Sequence, residues 1–447
     1  MEKNRSNRAR HSFKLTFRLL VVALMLALAV FSTRPRQVTA ASSQAYAQLR
    51  LLVEALYEID SKYVTEKKDK DLMYGAIRGL VASLDPNSSF LSPAEYQDSQ
   101  IGARLSDADA GLELTVKDNS LTVIAPVEGG PAWKAGIKAD DHILKINNQP
   151  TRNLTALEAA RKLQGPPGTK LKLQIVRTGF VKPQDLDLTL EKNTVDSVSY
   201  YPLEDGVYYI RLRSPRERST QELQQILRTI QASPARRGII LDLRNTAGGQ
   251  LEEARKLASV FVGSDLVYSV KGRHSEKKQP YSGSRDYQVL KEKLPLVILV
   301  DQGTARAAEV IAGALQADYN AVLLGYKTFG DCAVTKLFPL KDGSALIVSI
   351  GYCYTPRDYL IQGKGLEPDI AGPKKDSDDK PVTESGLKLE KPKKIPDAVE
   401  LMQDPLVKQA LTRLKSWGKN SVSTAPGNRL FQKKQASGAS RLEGEIS

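Results

Sequence analysis

A chain of 447 residues is too long for one ordinary hydrophobic core, so two or three domains are expected. Its content of 41% hydrophobic and 26% charged residues excludes a collagen-like chain and a wholly disordered one. The net charge of +14 does not indicate nucleic-acid binding, because most of it lies at the two ends. Residues 1–40 carry eight Lys and Arg against Glu2, and residues 419–447 carry five against Glu443 and Glu445. The sequence between them has mixed charge, so no nucleic-acid partner is predicted.

The N-terminus has the pattern of an export signal. Several basic side chains precede an uninterrupted apolar run from Leu19 to Phe31. That run fits a signal-peptide core and is shorter than the roughly 20 residues of a membrane span. Val38-Thr39-Ala40 resembles a cleavage site, but Arg34 and Arg36 separate it from the apolar run. We expect residues 1–40 to direct export to the periplasm, and whether they are cleaved or kept as a membrane anchor stays open.

Two segments follow that differ in periodicity. Residues 43–60 and 70–84 repeat apolar side chains at helical spacing, which predicts an N-terminal helical region over 41–100. Short strands then predict a separate domain over 101–195 with one longer helix, 155–164. The predicted strands are Leu112–Val116, Leu121–Ala125, His142–Asn147 and Leu171–Arg177.

From about residue 196 strands and helices alternate, which predicts an α/β core over 196–370. Its predicted strands are Gly206–Arg213, Gly238–Asp242, Leu296–Val300 and Ala321–Gly325, and its helices are 220–232, 250–262 and 305–317. Asp342-Gly343 predicts a hairpin between Thr335–Leu340 and Ser344–Tyr354. Residues 371–418 read as a linker and C-terminal helices, and 419–447 as a disordered tail.

The hairpin bears on the only two cysteines. If Asp342-Gly343 is a two-residue turn, residue 341 faces 344 and Cys332 faces Cys353. Such a pair would be a non-hydrogen-bonded one, with Cα atoms about 4.5 Å apart. That position is compatible with a disulfide in an exported chain, and two free buried thiols are the alternative.

Six segments, in this order, resemble the carboxyl-terminal processing peptidases, also called tail-specific proteases. They are LDPNSSFLSP (84–93), the PDZ-like stretch 110–149, IILDLRNTAGG (239–249), LVDQGTARAAEVIAGAL (299–315), GYKTFGDCAV (325–334) and YTPRDYLIQGKGLEPDI (354–370). The resemblance implies a crotonase-like α/β peptidase core with an inserted PDZ domain and flanking N- and C-terminal helices. It also implies a serine nucleophile, a lysine base, and an oxyanion-stabilising turn that falls on Gly248 and Gly249.

The catalytic positions depart from that family. Over the usual G-[ST]-A-S-A-S-E-I, the nucleophile position is Arg306. Over T-[FY]-G-K-G-x-x-Q, the lysine position is Asp331 and the glutamine position is Thr335. Arginine has no nucleophilic oxygen and stays protonated in proteins. The sequence therefore predicts a family member that does not cleave peptides.

The exchange of serine and lysine for an arginine and an aspartate suggests a new interaction. We expect Arg306 and Asp331 to form a partly buried ion pair, because a lone buried arginine would be costly. The alternative is that both are solvated surface residues. A hidden nucleophile has little support: Thr304 stands where the family also has Thr or Ser, Thr335 has no neighbouring base, and the chain has three histidines. No cofactor and no metal site are predicted.

Peptide binding is the function that remains. A PDZ domain adds an extended peptide as a strand and holds its carboxylate with backbone N–H groups. The corresponding residues are Gly111, Leu112, Glu113 and Leu114, while Gln164 replaces an arginine that the family often has. We expect a scaffold or adaptor that binds protein C-termini and dimerises with itself or with an active relative. The alternatives are an active serine endopeptidase and a purely structural protein with an idle groove.

Overall fold

The computed structural model describes residues 41–102, 108–180, 182–192, 196–373 and 395–417. They form two compact units that divide between Ala76 and Ile77. The predicted export segment, the C-terminal tail and most of the predicted linker lie outside these ranges. Within them, no helix combines the length and the apolar character that a membrane span requires.

The first unit is helical, as its periodicity predicts. Its elements are α1 (Ala41–Lys62) and the first half of α2 (Asp69–Ala82). Helix α1 exposes many large apolar side chains, among them Tyr46, Leu49, Leu51, Val53, Tyr57 and Ile59.

The second unit begins with a short N-terminal segment and an inserted lobe, residues 108–192. The segment contains β1 (Ser89–Leu91) and α3 (Pro93–Gly102). The lobe is an antiparallel sheet of order β3-β4-β5-β8-β9, with β6 beside β5 and a small β2–β7 pair. Its strands are β2 (Ala108–Asp109), β3 (Leu112–Lys117), β4 (Ser120–Pro126), β5 (His142–Ile146), β6 (Gln149–Pro150), β7 (Gln164–Gly165), β8 (Lys170–Val176) and β9 (Gln184–Thr189). Its helices are α4 (Pro131–Lys134) and α5 (Ala156–Lys162).

Local sequence explains the edges of this lobe. Asp118 and Asn119 both have positive φ, 50° and 58°, which suits the tight turn between β3 and β4. Helix α5 starts where Thr155 and Glu158 form a reciprocal capping box. The predicted strands and helix of this region are therefore confirmed, whereas β9 was missed although its leucines alternate with polar residues, the pattern of a half-buried strand.

The core is a six-stranded sheet of order β10-β11-β12-β15-β16-β19, parallel except for β10. Its strands are β10 (Val198–Pro202), β11 (Val207–Leu212), β12 (Gly238–Asp242), β15 (Leu296–Val300), β16 (Val322–Gly325) and β19 (Ile370–Ala371). Its helices are α6 (Ser219–Ala232), α7 (Leu251–Val262), α8 (Ala307–Asp318), α9 (Ala398–Leu401) and α10 (Pro405–Trp417). Helices α6, α7 and α8 cover one face, and α9 and α10 cover the other. Burial on both faces is why β12 and β15 are continuous apolar runs.

A second sheet carries the predicted hairpin. Its order is β1-β18-β13-β14, with β17 paired to β18. The strands are β13 (Leu266–Lys271), β14 (Gln279–Ser282), β17 (Ala333–Pro339) and β18 (Ala345–Tyr354). Strands β13 and β14, like β10, were not predicted from the sequence.

The predicted two-residue turn is wrong. The Leu340 N–H donates to Ser344 O at 2.7 Å, so the loop has three residues, Lys341 to Gly343. A bulge between Val334 and Thr335 then shifts the register by one residue.

The two deviations offset each other, so the two cysteines still meet. Cys332 and Cys353 form a disulfide with Cα atoms 5.5 Å apart. The Cys353 N–H donates to Cys332 O at 3.0 Å, so the predicted non-hydrogen-bonded geometry is wrong. The bridge fixes the loop that carries Asp331 to the end of β18.

Candidate functional site

The site starts at the turn from β15 into α8. Arg306 is the residue before α8, and its backbone has φ 53° and ψ −115°. A positive φ is strained for a residue with a bulky side chain and persists only where the surroundings hold it. The turn therefore has a fixed, strained backbone that directs the Arg306 side chain out of the sheet edge.

Hydrogen bonds tie this turn to the Gly-rich turn after β12. Asp301 accepts the Asn245 N–H at 2.8 Å, and the Ala305 N–H donates to Thr246 O at 3.0 Å. The buried Thr304 hydroxyl donates to Leu243 O at 2.8 Å. Thr304 thus holds the two turns together, and its hydroxyl is not free to act as a nucleophile.

Glu309 is a buried acceptor that joins Arg306 to the Asp331 loop. Its carboxylate accepts the Arg306 N–H at 3.1 Å, the Asp331 N–H at 3.0 Å and the Gly330 N–H at 2.8 Å. It also accepts the Thr328 hydroxyl. Burial raises the pKa of Glu309 to about 7, although these hydrogen bonds oppose the shift.

The predicted ion pair is present. Arg306 Nε lies 2.9 Å from Asp331 Oδ2, and only 5% of the Asp331 side chain is exposed. The other Asp331 oxygen accepts the Asn87 amide at 2.8 Å. The alternative of two independent, solvated side chains is therefore wrong.

Arg306 also reaches into the inserted lobe. Its Nη1 lies 3.0 Å from Glu113 Oε2, and its Nη2 donates to Leu114 O at 3.2 Å. Both acceptors belong to β3, 193 and 192 residues away in the chain. One guanidinium thus links the core loop to the lobe.

The Leu114 carbonyl lies on the open edge of β3. Leu114 faces Val123 across the β3–β4 pair. The Val123 N–H donates to Asp141 O, and Val123 O accepts the Asp140 N–H. Both groups of Val123 therefore point away from β3. In a non-hydrogen-bonded antiparallel pair, the backbone N–H and C=O of both residues point away from the partner strand. The N–H and C=O of Leu114 therefore point away from β4. No strand covers that edge among the described residues.

The Glu113 carboxylate covers the Gly-rich turn. A Cβ placed on Gly248 would overlap this carboxylate, and one placed on Gly249 would overlap Pro215. Both glycines have positive φ, 77° and 79°. Burial raises the pKa of Glu113, whereas Arg306 lowers it. The turn that the resemblance assigns to oxyanion stabilisation is therefore in contact with a carboxylate.

The structure does not bring Thr335 into this cluster through any described hydrogen bond. Thr335 lies exposed in β17, opposite Ser349. The His142 ring is hydrogen-bonded to the Thr122 hydroxyl within the lobe, and His274 is exposed. In the described ranges, no group of three or more His, Cys, Asp or Glu side chains could hold a metal ion.

Three of the predicted peptide-binding residues, Leu112, Glu113 and Leu114, line a groove between β3 and α5. Its volume is about 190 Å³. The lining residues are Pro86, Asn87, Ser89, Leu112, Glu113, Leu114, Thr155, Ala156, Leu157, Ala160 and Arg306. Gly111 lies at its loop end with φ 68°, whereas Gln164 is an exposed residue of β7 outside the lining. The groove thus ends against Arg306.

Sequence reasoning missed several partners of this cluster. Glu309 stands three residues after Arg306, which is the spacing of a capping-box glutamate and could have identified it. Nothing in the sequence could reveal that Glu113 and Asn87 approach Arg306 and Asp331, because these contacts depend on how the lobe and the N-terminal segment pack on the core.

Comparison with known proteins places this geometry in a family. The family model described as "Peptidase family S41" matches residues 206–371, and the model described as "PDZ domain" matches residues 122–177. A carboxy-terminal-processing protease of Bartonella bacilliformis is 32% identical over 328 residues, 73% of this chain and 75% of that protein. The chain belongs to the S41 carboxyl-terminal processing proteases. The Synechocystis member is 34% identical over 318 residues, 69% of this chain and 73% of its own length.

A solved structure agrees with this S41 assignment. The photosystem II D1 C-terminal processing protease superposes with a TM-score of 0.60 at 26% identity, over 75% of this chain and 95% of that one. The expected S41 peptidase fold with an inserted PDZ domain and N-terminal helices is therefore confirmed. The inserted lobe is the PDZ domain, and the α/β core is the S41 peptidase core.

Proposed function

We propose that this S41 protein is an exported scaffold that binds peptides without cleaving them. The observation that carries the proposal is the Arg306 side chain at the strand-to-helix turn, paired with Asp331 at 2.9 Å and Glu113 at 3.0 Å. By the motif resemblance, this turn is where the family has its serine. Export is supported by the N-terminal pattern and by the Cys332–Cys353 disulfide, which suits an oxidising compartment.

Three features oppose hydrolysis. Arg306 offers no nucleophile, because a guanidinium stays protonated and has no oxygen. Asp331 accepts hydrogen bonds from Arg306 and Asn87, so its carboxylate is already occupied by two donors. The Glu113 carboxylate against Gly248 would repel the negative charge that develops on a carbonyl oxygen during peptide cleavage.

The PDZ groove supports the binding half of the proposal. Its edge strand β3 has an uncovered side among the described residues, which can accept an extended peptide as an added strand. Leu112, Leu157 and Ala160 give the groove apolar contacts. A bound strand would have to displace Arg306 from Leu114 O, so we expect binding to be weaker than in a groove without this contact.

The test measures binding and cleavage together. The purified full-length chain is incubated with a pool of random-sequence decapeptides, and the bound fraction is analysed by mass spectrometry. We expect bound peptides of unchanged mass. Leu157→Arg, which places a charge in the groove, should reduce binding at least tenfold, whereas Gln221→Arg on the exposed side of α6 should not.

Two outcomes would contradict the proposal. Shortened peptides that persist after repurification would show hydrolysis. Binding that is equally strong in Leu157→Arg would show that peptides attach outside the PDZ groove.

A further inference from the structure

We propose that the PDZ groove selects an extended segment whose backbone continues past the loop, and disfavours a free C-terminal carboxylate. This inference rests on the proposed peptide binding and changes its ligand class. The sequence led us to expect protein C-termini, and the arrangement around Asp109 favours internal segments instead.

Two N–H groups of the loop that should hold a carboxylate already have acceptors. The Gly111 N–H donates to the carboxylate of Asp109 at 2.7 Å. The preceding N–H, on Ala110, donates to Leu163 O at 3.0 Å. The Asp109 side chain thus occupies an N–H group that would otherwise be free for the carboxylate of a bound C-terminus.

The charge at this end of the groove is also unfavourable for an anion. Asp109 and Glu113 are both acidic, and Asp109 contributes to raising the pKa of Glu113. The cation in the lining, Arg306, is shared between Glu113 and Asp331. Arg216 also acts on Glu113, where it lowers the pKa. A bound C-terminal carboxylate would be a third acidic group beside Asp109 and Glu113, and in a partly enclosed groove like charges repel more strongly than in water.

An internal segment meets neither obstacle. Its backbone at the loop is a neutral amide whose N–H can donate to a carboxylate. The bound segment can also continue into solvent on this side of the groove. Gln164 pairs with Asp109 across β2 and β7, so the two side chains lie on the same face, and Gln164 is exposed to solvent.

Matched peptides test the inference. Decapeptides are synthesised on an array twice, once with a free C-terminal carboxylate and once as the C-terminal amide, and are probed with the full-length chain. The strongest pairs are then titrated by fluorescence anisotropy. We expect the amides to bind about tenfold more tightly than the free acids.

Substitution of Asp109 connects the preference to this carboxylate. Asp109→Asn keeps an oxygen for the Gly111 N–H but removes the charge, so the two forms should bind within about twofold. Asp109→Ala also frees the N–H, so the free acids should bind more tightly. Asp118→Asn, in the β3–β4 turn at the other end of β3, is the control and should leave the tenfold preference intact.

Free acids that bind tenfold more tightly to the unmodified chain would overturn the inference while leaving peptide binding in place. A preference that is unchanged by both Asp109 substitutions would equally overturn it. If no peptide of either form binds, the proposed function fails together with the inference that rests on it.

Discussion

At the scale of single residues, the site is organised by carboxylates that converge on one guanidinium. Burial lowers the pKa of Arg306, but its ion pairs with Asp331 and Glu113 raise it. The nearby Glu309 raises the pKa of Arg306 further. An arginine with no acidic partner would leave a costly uncompensated charge in this position. The arginine at position 306 and the aspartate at position 331 therefore depend on each other, because each side chain compensates the charge of the other.

Glu309 gives a prediction about pH. Its pKa is about 7 in the folded chain and about 4.5 when solvated, so the native state binds a proton that the unfolded state has released between these values. Stability from this group is therefore present at low pH and is lost as the pH rises through 7.

The test compares the unmodified chain with Glu309→Gln by urea denaturation at pH 8 and pH 5. Relative to Glu309→Gln, the unmodified chain should have an unfolding free energy about 2 kcal/mol higher at pH 5 than at pH 8. The size follows because one unit of pKa shift corresponds to about 1.4 kcal/mol. A pH-independent difference would show that Glu309 keeps an ordinary pKa.

The sequence was informative about the residues in the motifs that resemble the family's catalytic motifs and uninformative about their partners. Arg306 and Asp331 were predicted to pair because two motif positions changed together. Glu113 was named only as a groove residue, and its contact with Arg306 spans 193 residues. Asp109 and Asn87 were not singled out, since neither lies in a pattern that distinguishes a residue of a site from other polar residues.

At the scale of secondary structure, the strained start of α8 is the most informative element. The φ of 53° at Arg306 persists although the side chain is large and branched at its end. The hydrogen bonds of Glu309, Thr304 and Ala305 hold the turn in place regardless of the residue at position 306. The backbone geometry of the turn is thus set by its neighbours.

This strain predicts a reversed glycine effect. Arg306→Gly should be more stable than Arg306→Ala by about 1 kcal/mol, because only glycine adopts this φ without a steric penalty. At the exposed helical position 221 in α6, Gln221→Gly should instead be less stable than Gln221→Ala by about 1 kcal/mol. Thermal unfolding of the four variants measures both differences. The same sign at both positions would contradict the strained geometry.

Element prediction succeeded where patterns were strong and failed where two local irregularities combined. The buried strands β12 and β15 match their predicted bounds, because apolar runs between turn residues are distinctive. The hairpin register was wrong, since the three-residue loop and the bulge at Val334 are not encoded by Asp342-Gly343 alone. The disulfide partners were nevertheless identified, because these two one-residue shifts cancel.

At the scale of the whole second unit, the PDZ domain is fixed to the peptidase core by buried charges. Glu128 of the domain lies 2.7 Å from Arg211 and 3.4 Å from Arg213. A small apolar cluster of Ile124, Ala125, Ala247 and Ala305 adjoins this contact. Together with the Arg306–Glu113 pair, these contacts hold the groove against the turn that carries Arg306.

Removal of Glu128 should loosen this contact. Glu128→Gln leaves the buried Arg211 without its carboxylate, so we expect a loss of about 3 kcal/mol in unfolding free energy. Amide hydrogen exchange should also become faster in β4. Glu191→Gln, which breaks the exposed pair with Lys134, is the control and should cost less than about 1 kcal/mol. Equal effects of the two substitutions would show that Glu128 does not fix the domain.

The central claim is that this S41 protein does not hydrolyse peptides, and a protease assay tests it most directly. The purified chain is incubated with an unstructured protein that ends in apolar residues, and the Synechocystis carboxyl-terminal-processing protease serves as the positive control. The double variant Arg306→Ser with Asp331→Lys is run in parallel to show whether the remaining turn can support cleavage. We predict no cleavage by the unmodified chain at any protein concentration. Cleavage that survives repurification and scales with the amount of unmodified chain would contradict the account.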